Sequence, residues 1–278
     1  MLLRMILATW LMTFLSLGCA AAQEAHAAQP ATDAAKALSS DSSVDQILDA
    51  LDRRGRDLKS LTADVKMVET DQAIGNETSR TGHVWLDNRN DGATRFRATF
   101  DCKEENQKVT DEKIEYVLDG GKLIDRNYKK TTQVTRTVLQ PGEKMNLLKL
   151  GEGPFPLPIG QKKEDVYAQF DVKKLEPKQG DPPDTVKIEL IPKPGTSLAR
   201  KMKYIDVFVN THDELPQRIE TLDSNESTVR TTDLKNLKLN GPVTDADFTL
   251  PKVDEKNWNL VDEAFQGNGP TPSPSQGR

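Results

Sequence analysis

Near the start of the chain, the apolar positions follow the period of an α-helix. Four apolar side chains fall on one face at helical spacing: Val44, Ile47, Leu48 and Leu51. Ser43 and Gln46 stand three residues apart at the beginning of this run, the spacing of a capping box, in which two side chains bind free backbone N–H groups of the first turn. The sequence therefore predicts one amphipathic helix over residues 43–59.

From residue 61 onward, the apolar period changes to two. Apolar and polar side chains alternate in eleven stretches: 61–67, 82–86, 95–100, 114–118, 122–127, 134–138, 170–176, 186–190, 205–209, 215–223 and 227–238. Such a stretch is typical of a strand with one apolar and one polar face. Most gaps are too short for a crossover helix, so we expect neighbouring strands to pair antiparallel. The predicted fold class is mainly β, with a minor helical part (α+β).

Residues 142–169 break the alternation. A leucine-rich segment is followed by the run Gly-Pro-Phe-Pro-Leu-Pro-Ile-Gly at 153–160 and by a polar stretch at 162–169. Proline lacks a backbone N–H and therefore disfavours both strand and helix interiors. We expect a short helix, a stiff loop and a second short helix. The apolar side chains of this region are candidates for a mobile lid or a fixed plug of the core: Met145, Leu147, Leu148, Phe155, Leu157 and Ile159.

The first 22 residues are predicted to be an export signal. Arg4 precedes the apolar run Met5–Leu17, which at ~1.5 Å per residue is too short for the ~30 Å of a bilayer core. Two interpretations of the processing site stay open. Cleavage at small residues releases a soluble protein, whereas lipidation of Cys19 anchors it to a membrane. Both place the protein outside the cytoplasm, in the periplasm.

The rest of the chain divides by composition. Residues 23–41 are rich in Ala, Gln, Ser and Asp and are predicted to be a flexible spacer. Residues 42–265 form the predicted folded domain, and the Pro/Gly/Ser-rich residues 266–278 form a predicted disordered tail.

Charge and cysteine content exclude several classes of function. The 278 residues carry 38 basic and 43 acidic side chains, with both signs interspersed, so we expect no nucleic-acid binding. Two cysteines support neither a disulfide framework nor a cysteine zinc cluster. No nucleophile–base pair, metal motif or nucleotide motif is found. The sequence predicts a non-enzymatic protein without metal or cofactor, and a monomer.

Several short segments, taken in order, resemble the outer-membrane lipoprotein carrier (LolA/LolB-like) family. Residues 82–86 (Gly-His-Val-Trp-Leu) are similar to its Gly-x-hydrophobic-Trp-hydrophobic strand, and residues 94–100 to its next, Phe-Arg-containing strand. Residues 116–123 resemble its Asp-Gly hairpin, and residues 58–64 resemble the passage from its first helix to its first strand. Residues 215–219 resemble the start of its late strand, and residues 247–251 resemble its terminal Phe-x-Phe/Leu-x-Pro element, so the resemblance covers about residues 43–252.

The resemblance implies a strongly curved antiparallel half-barrel with a helical lid over an apolar cavity for acyl chains. Its expected lining is Val65, Met67, Val84, Trp85, Leu86, Phe96, Phe100, Tyr116, Leu118, Ile188, Leu190, Ile205 and Val207. An ordinary packed core is the alternative for the aromatic members of this set. The family has an Arg-Pro pair after the Trp strand, and its arginine helps to hold the lid. Here Arg89 is one position off and no proline follows, so Arg89 is a weak candidate for that latch.

The resemblance leads to two functional hypotheses. The first is a cell-envelope carrier that binds lipid or lipoprotein acyl chains and serves outer-membrane lipoprotein sorting, with inner- and outer-membrane proteins as partners. The second is a periplasmic lipid-binding sensor that engages a membrane partner. The sequence does not separate them.

Overall fold

A computed structural model describes residues 37–88, 94–139 and 159–265. Within these ranges the chain forms three helices and twelve strands. Their bounds are α1 Val44–Gly55, β1 Ser60–Asp71, β2 Glu77–Asn88, β3 Thr94–Glu105, β4 Lys108–Asp119, β5 Lys122–Asn127, β6 Thr132–Thr137, α2 Lys163–Gln169, β7 Phe170–Leu175, β8 Thr185–Pro192, β9 Met202–Asn210, β10 Pro216–Asp223, β11 Thr228–Leu239, α3 Asp245–Phe248 and β12 Asn259–Glu263.

All twelve strands belong to one sheet. The strand order is β12-β6-β5-β4-β3-β2-β1-β11-β10-β9-β8-β7. Every neighbouring pair is antiparallel except β12 and β6, which run parallel. The sheet is curved and stays open, because β12 and β7 lie at its two ends and do not pair. The predicted half-barrel is confirmed.

Bulges interrupt the ladder at several places in the centre of the sheet. The register shifts at Thr62/Asp64, Thr81/Gly82 and Phe100/Cys102. A bulge bends its strand and increases the local twist, which an open sheet needs in order to curve. Gly82 is required here because a Cβ atom at this position would lie 1.7 Å from the backbone oxygen of Thr99. The glycine of the family-like strand thus permits a close approach of two backbones.

Helix α1 begins as predicted. The Ser43 hydroxyl accepts the Gln46 N–H at 3.3 Å, and the Gln46 side chain accepts the Ser43 N–H at 2.9 Å. The helix ends at Gly55 and not at residue 59. Gly55 meets the chain entering from residue 159, and a Cβ atom on it would lie 2.3 Å from the Gly160 nitrogen. The crossing leaves no room for a side chain there.

Two other expectations differ from the structure. The predicted spacer includes Leu38, yet Leu38 is buried in the main apolar cluster. The sequence predicts eleven strands, whereas the described residues form twelve. The additional strand, β12, has only two apolar residues, Leu260 and Val261, and both are exposed. This strand forms by pairing with β6, and the alternation of its own residues does not indicate it.

Candidate functional site

One face of the sheet, here called the inner face, carries the main apolar cluster. Helix α1 packs against this cluster through Ile47, Leu48 and Leu51, each at most 1% exposed. Eleven of the side chains expected to line a cavity are buried members of the cluster: Val65, Met67, Val84, Leu86, Phe96, Phe100, Leu118, Ile188, Leu190, Ile205 and Val207. Residues from both halves of the sheet therefore meet on one continuous apolar surface, which we call the apolar floor.

The strand register explains why these side chains share one face. Residues paired directly across an antiparallel ladder point to the same side. Ala63 pairs with Val84, Val84 pairs with Ala98, and Ala98 pairs with Tyr116. Tyr116 is half-buried and packs against the cluster, with its ring 6.4 Å from that of Phe100. Alternation along four neighbouring strands thus builds the floor.

Trp85 lies on the opposite, outer face, which corrects its expected place in the cavity. It stands between Val84 and Leu86, both of which point inward, so its own side chain points outward. Its ring centroid is 4.2 Å from that of His83, and the Arg97 guanidinium lies 5.3 Å from its centroid. The tryptophan of the family-like strand thus belongs to the packing of the outer face.

Among the expected lid residues, Ile159 is described and is fully buried. Met145, Leu147, Leu148, Phe155 and Leu157 lie outside the described residues, as do Arg89 and Cys19. Ile159 belongs to the apolar cluster. The next residue, Gly160, donates its N–H to the Leu51 carbonyl of α1 at 3.0 Å. The chain that leaves the expected lid is therefore fixed to α1 and to the floor at residues 159–160.

The apolar floor stops at charged side chains on one side. On β1 the inward series Leu61, Ala63, Val65, Met67 continues with Glu69, and on β2 the inward position before Gly82 is Arg80. Arg230 of β11 binds Glu69 through Nε and Nη2, at 2.9 and 2.6 Å. Arg80 lies 3.7 Å from the same carboxylate.

Tyr116 connects this group with a second one at the neighbouring strands β5 and β6. Burial raises the pKa of Tyr116, and the charges of Asp125, Arg80, Glu69 and Arg230 all act on its hydroxyl. Arg136 lies 3.7 Å from Asp125 and binds Glu263 of β12 at 2.7 Å. Arg136 lies opposite Leu123, in line with Phe96 and Leu86, and so toward the other end of the strands from Arg80. We call Glu69, Arg80 and Arg230 the polar end of the inner face. Sequence reasoning missed it, although the alternation of β1 and β2 runs on into it.

Over β3 to β5, the C-terminal part of the chain covers the outer face through polar contacts. Arg97 donates to the Asp247 carbonyl at 2.8 Å, and Arg126 donates to the Pro251 carbonyl at 2.8 Å. Trp258 stacks edge-on against Tyr128, with ring centroids 5.4 Å apart. Residues 241–258, here called the strap, thus cross the outer side of β3 to β5 before β12 joins the sheet edge.

Beneath the strap, Glu115 is fully buried. Tyr128 and Arg97 each hydrogen-bond its carboxylate at 2.5 Å, and Lys113 lies 3.3 Å away. Burial opposes its ionisation, but these hydrogen bonds and charges outweigh burial and hold the pKa of Glu115 below its ordinary value.

A second buried ion pair joins β8 and β9 on the outer face. Lys187 binds Asp206 at 2.6 Å, and both side chains are less than one-tenth exposed. Here burial prevails over the hydrogen bond from Lys187, and the pKa of Asp206 is raised. Glu189 and Glu220, which pair with Asp206 across the strands, act in the same direction.

The described residues contain no group of three or more metal-ligating side chains. None of their helices combines the length and the apolar character that crossing a bilayer requires.

The chain matches no protein-family model and no curated protein. Solved structures similar to it include an uncharacterized conserved protein from Thermus thermophilus, which is 14% identical, with a TM-score of 0.42 over 78% of this chain and 98% of that one. A LolA superfamily protein from Nitrosomonas europaea is 13% identical, with a TM-score of 0.30 over 75% and 98% of the two chains.

MucB from Pseudomonas aeruginosa, seen in complex with MucA, is 12% identical, with a TM-score of 0.38 over 74% of this chain and 60% of that chain. At these identities the likeness concerns the fold alone.

Proposed function

We propose that this protein is a non-enzymatic carrier of the cell envelope that binds acyl chains of lipids or lipoproteins on the apolar floor. The observation that supports this is that both halves of a twelve-stranded open sheet place apolar side chains on the same, inner face. Because α3 lies in the strap on the outer face, the described residues offer only α1 and α2, of 12 and 7 residues, to cover them. A ligand that is itself apolar is a natural occupant of such a face.

Acyl chains need such protection because exposing them to water is costly. Each methylene group transferred from an apolar site to water costs ~0.8 kcal/mol, so a chain of ordinary length costs roughly 10 kcal/mol. The predicted export signal would bring the protein to the periplasm, where lipoproteins pass between the two membranes. Residues 142–158 would supply the lid, and their attachment through Ile159 and Gly160 to α1 would serve as its fixed end.

Enlarging a small side chain of the floor separates a ligand cavity from a packed core. Ala98 is 1% exposed and lies between Phe96 and Phe100 on the inner face. In a filled core, Ala98→Leu costs about 1–3 kcal/mol of overpacking and leaves ligand binding unaffected. In a cavity, the added methyl groups take space from the ligand. We expect the affinity for a fluorescent fatty acyl probe to fall at least fivefold, with an unfolding free energy close to that of the wild type.

The matched control is Val117→Leu on the outer face, where Val117 pairs with Arg97. This change should leave probe binding unaltered. Wild-type protein that binds no acyl probe, and yields no lipid in mass spectrometry of its organic extract from the native host, would contradict the proposal.

The sensor hypothesis remains the main alternative outcome. A carrier must release its lipid to acceptor vesicles, whereas a sensor retains it and binds a defined membrane protein. Mass analysis of the mature N-terminus addresses the anchor, since lipidation of Cys19 would favour a membrane-attached receptor or sensor.

A further inference from the structure

Along β11, the inner face changes from apolar to charged in steps. The successive inward residues of this strand are Leu234, Thr232 and Arg230, which pair with inward residues of β1. On β10 the same step from apolar to polar runs from Ile219 to Thr221. Two threonines, here called the hydroxyl pair, therefore separate the apolar floor from the polar end on these two strands.

The strand register brings the hydroxyl pair together beside Arg230. Thr221 lies directly opposite Arg230 across the β10–β11 ladder, and Thr232 is the next inward residue of β11. The Cβ atoms of directly opposed residues are about 4.5–5.5 Å apart, and diagonal neighbours are roughly 7–8 Å apart. The two hydroxyl groups are therefore neighbours on one patch of the inner face.

The hydroxyl pair is buried but lacks hydrogen-bond partners. Thr221 is 8% and Thr232 is 5% exposed, and within the described part of the chain neither side chain makes a hydrogen bond. The guanidinium of Arg230 beside them is itself a donor and binds Glu69. A buried hydroxyl without a partner is unfavourable, so an acceptor on a bound molecule is its expected complement.

An ester-linked lipid changes its polarity in the same order as these strands. Its hydrocarbon chain is followed by an ester group and then by a polar head. An ester carbonyl oxygen accepts hydrogen bonds and cannot donate them, whereas a threonine hydroxyl can donate. Chains that lie on the apolar floor would thus bring their ester groups to the hydroxyl pair and their head toward the polar end.

We propose that Thr221 and Thr232 donate hydrogen bonds to the ester carbonyl groups of an acylglycerol whose chains lie on the apolar floor. This inference rests on the proposed function and specifies its ligand class. A site built to hydrogen-bond one group of a ligand discriminates against an analogue that lacks this group, because its buried donors then stay unpaired. The protein therefore selects ester-linked lipids over ether-linked ones.

The test compares two lipids that have equal chains and differ in their linkage. 1,2-Dioctanoylglycerol carries two ester carbonyl groups, and 1,2-dioctylglycerol carries ether linkages instead. Each lipid, below its solubility limit, displaces the fluorescent fatty acyl probe from the full-length protein. We expect the wild type to bind the ester at least tenfold more tightly than the ether. Thr221→Val and Thr232→Val should each lose most of this preference and keep the affinity for the ether, because valine has the shape of threonine without the hydroxyl.

Thr231→Val is the matched control. Thr231 is the neighbour of Thr232 on the same strand, but it lies on the outer face, where it pairs with Glu220 and Val68. This change should leave the preference for the ester intact. Thr232→Ser retains a hydroxyl at the inner face and should retain the preference as well.

A third ligand separates the two sources of such esters, a free glycerolipid and the diacylglyceryl group of a lipoprotein. It is a short peptide whose N-terminal cysteine carries a dioctanoylglyceryl group on its sulfur. Binding tighter than that of 1,2-dioctanoylglycerol supports a lipoprotein as the ligand, and weaker binding supports a glycerolipid. Both results support the ester proposal when Thr232→Val weakens the binding.

Equal affinities of the wild type for the ester and the ether would overturn the ester proposal and leave the lipid-binding function standing. Absence of binding of both lipids would overturn both. Urea unfolding without lipid gives an independent measurement: if the hydroxyls have no partner in the protein, Thr221→Val and Thr232→Val should be at least as stable as the wild type. A clear loss of stability, or of folding, would show that the protein itself uses these hydroxyls and would also overturn the proposal.

Discussion

Both faces of this sheet have buried regions, but different chemistry buries them. The inner face is covered by α1 through apolar side chains such as Ile47 and Leu51. The outer face beneath the strap is held by guanidinium–carbonyl and guanidinium–carboxylate contacts around Glu115. Apolar contacts are non-directional and tolerate exchange of one apolar partner for another. Hydrogen-bonded charges fix one geometry, so the contacts of the outer face are specific, whereas those of the inner face permit repacking.

The largest effect is expected on the inner face. Phe100 is 2% exposed and contacts Tyr116. Phe100→Ala should lower the free energy of unfolding by about 3–5 kcal/mol, through lost apolar burial and the cavity that remains. Val109→Ala, at a site that is 63% exposed, is the control and should change it by less than about 0.5 kcal/mol. Urea unfolding measures both. Similar losses in the two variants would mean that Phe100 lies outside the stabilising core.

Breaking the ion pair between Arg97 and Glu115 on the outer face should lower the free energy of unfolding nearly as much. Arg97→Met leaves the fully buried Glu115 with fewer partners and should lower the unfolding free energy by about 3 kcal/mol. The double variant Arg97→Met/Glu115→Leu should recover most of this loss, because a buried ion pair replaced by apolar side chains is often nearly neutral. A double variant as unstable as the single one would show that strap contacts, rather than the charge, cause the loss.

The two outer-face carboxylates should respond to pH with opposite signs. The pKa of Glu115 is lowered on folding, so its stabilising contribution is present above the ordinary glutamate pKa and is lost as the pH falls through the folded-state value. The pKa of Asp206 is raised, so its contribution falls as the pH rises from the ordinary aspartate value through the folded one.

We therefore expect Glu115→Gln to flatten the acid loss of stability measured by urea unfolding between roughly pH 5 and pH 2. Asp206→Asn should leave that acid loss in place or make it steeper. Equal pH profiles of the two variants would contradict the difference between the two pairs.

The smallest effect concerns the strap itself. The Asp247 carboxylate accepts from the backbone N–H and the hydroxyl of Thr244, at 2.6 and 2.9 Å. Asp247→Ala removes this cap of α3 and should cost about 1 kcal/mol. Ser43→Ala, at the start of α1, removes a similar cap over the inner face and should cost about the same. Amide exchange then separates them: only Asp247→Ala should speed exchange in β12.

The alternation of apolar residues predicts the strands β1 to β11 and the start of α1 well, because burial of one face is a local property of each strand. The same alternation places Trp85 between two inward residues and so predicts that its side chain points outward. The resemblance to the family motif nevertheless led us to include Trp85 in the expected cavity lining. The polar end and the strap depend on pairings between distant segments, such as Glu69 with Arg230 and Arg97 with Asp247. No spacing along the chain reveals such pairings.

Strand β1 has a consequence for the order in which the chain assembles. It pairs on one side with β2, its neighbour in sequence, and on the other with β11, near the end of the folded chain. The strands β2 to β6 and β7 to β11 are each linked by local hairpins or short connections, so either set forms from contacts that are near in sequence. Joining them through β1 closes a loop that contains almost the whole domain, and contacts of such long range slow folding. While the chain folds, β1 therefore keeps one edge unpaired until β11 joins it, and an unpaired strand edge is a site at which another chain can pair and aggregation can begin.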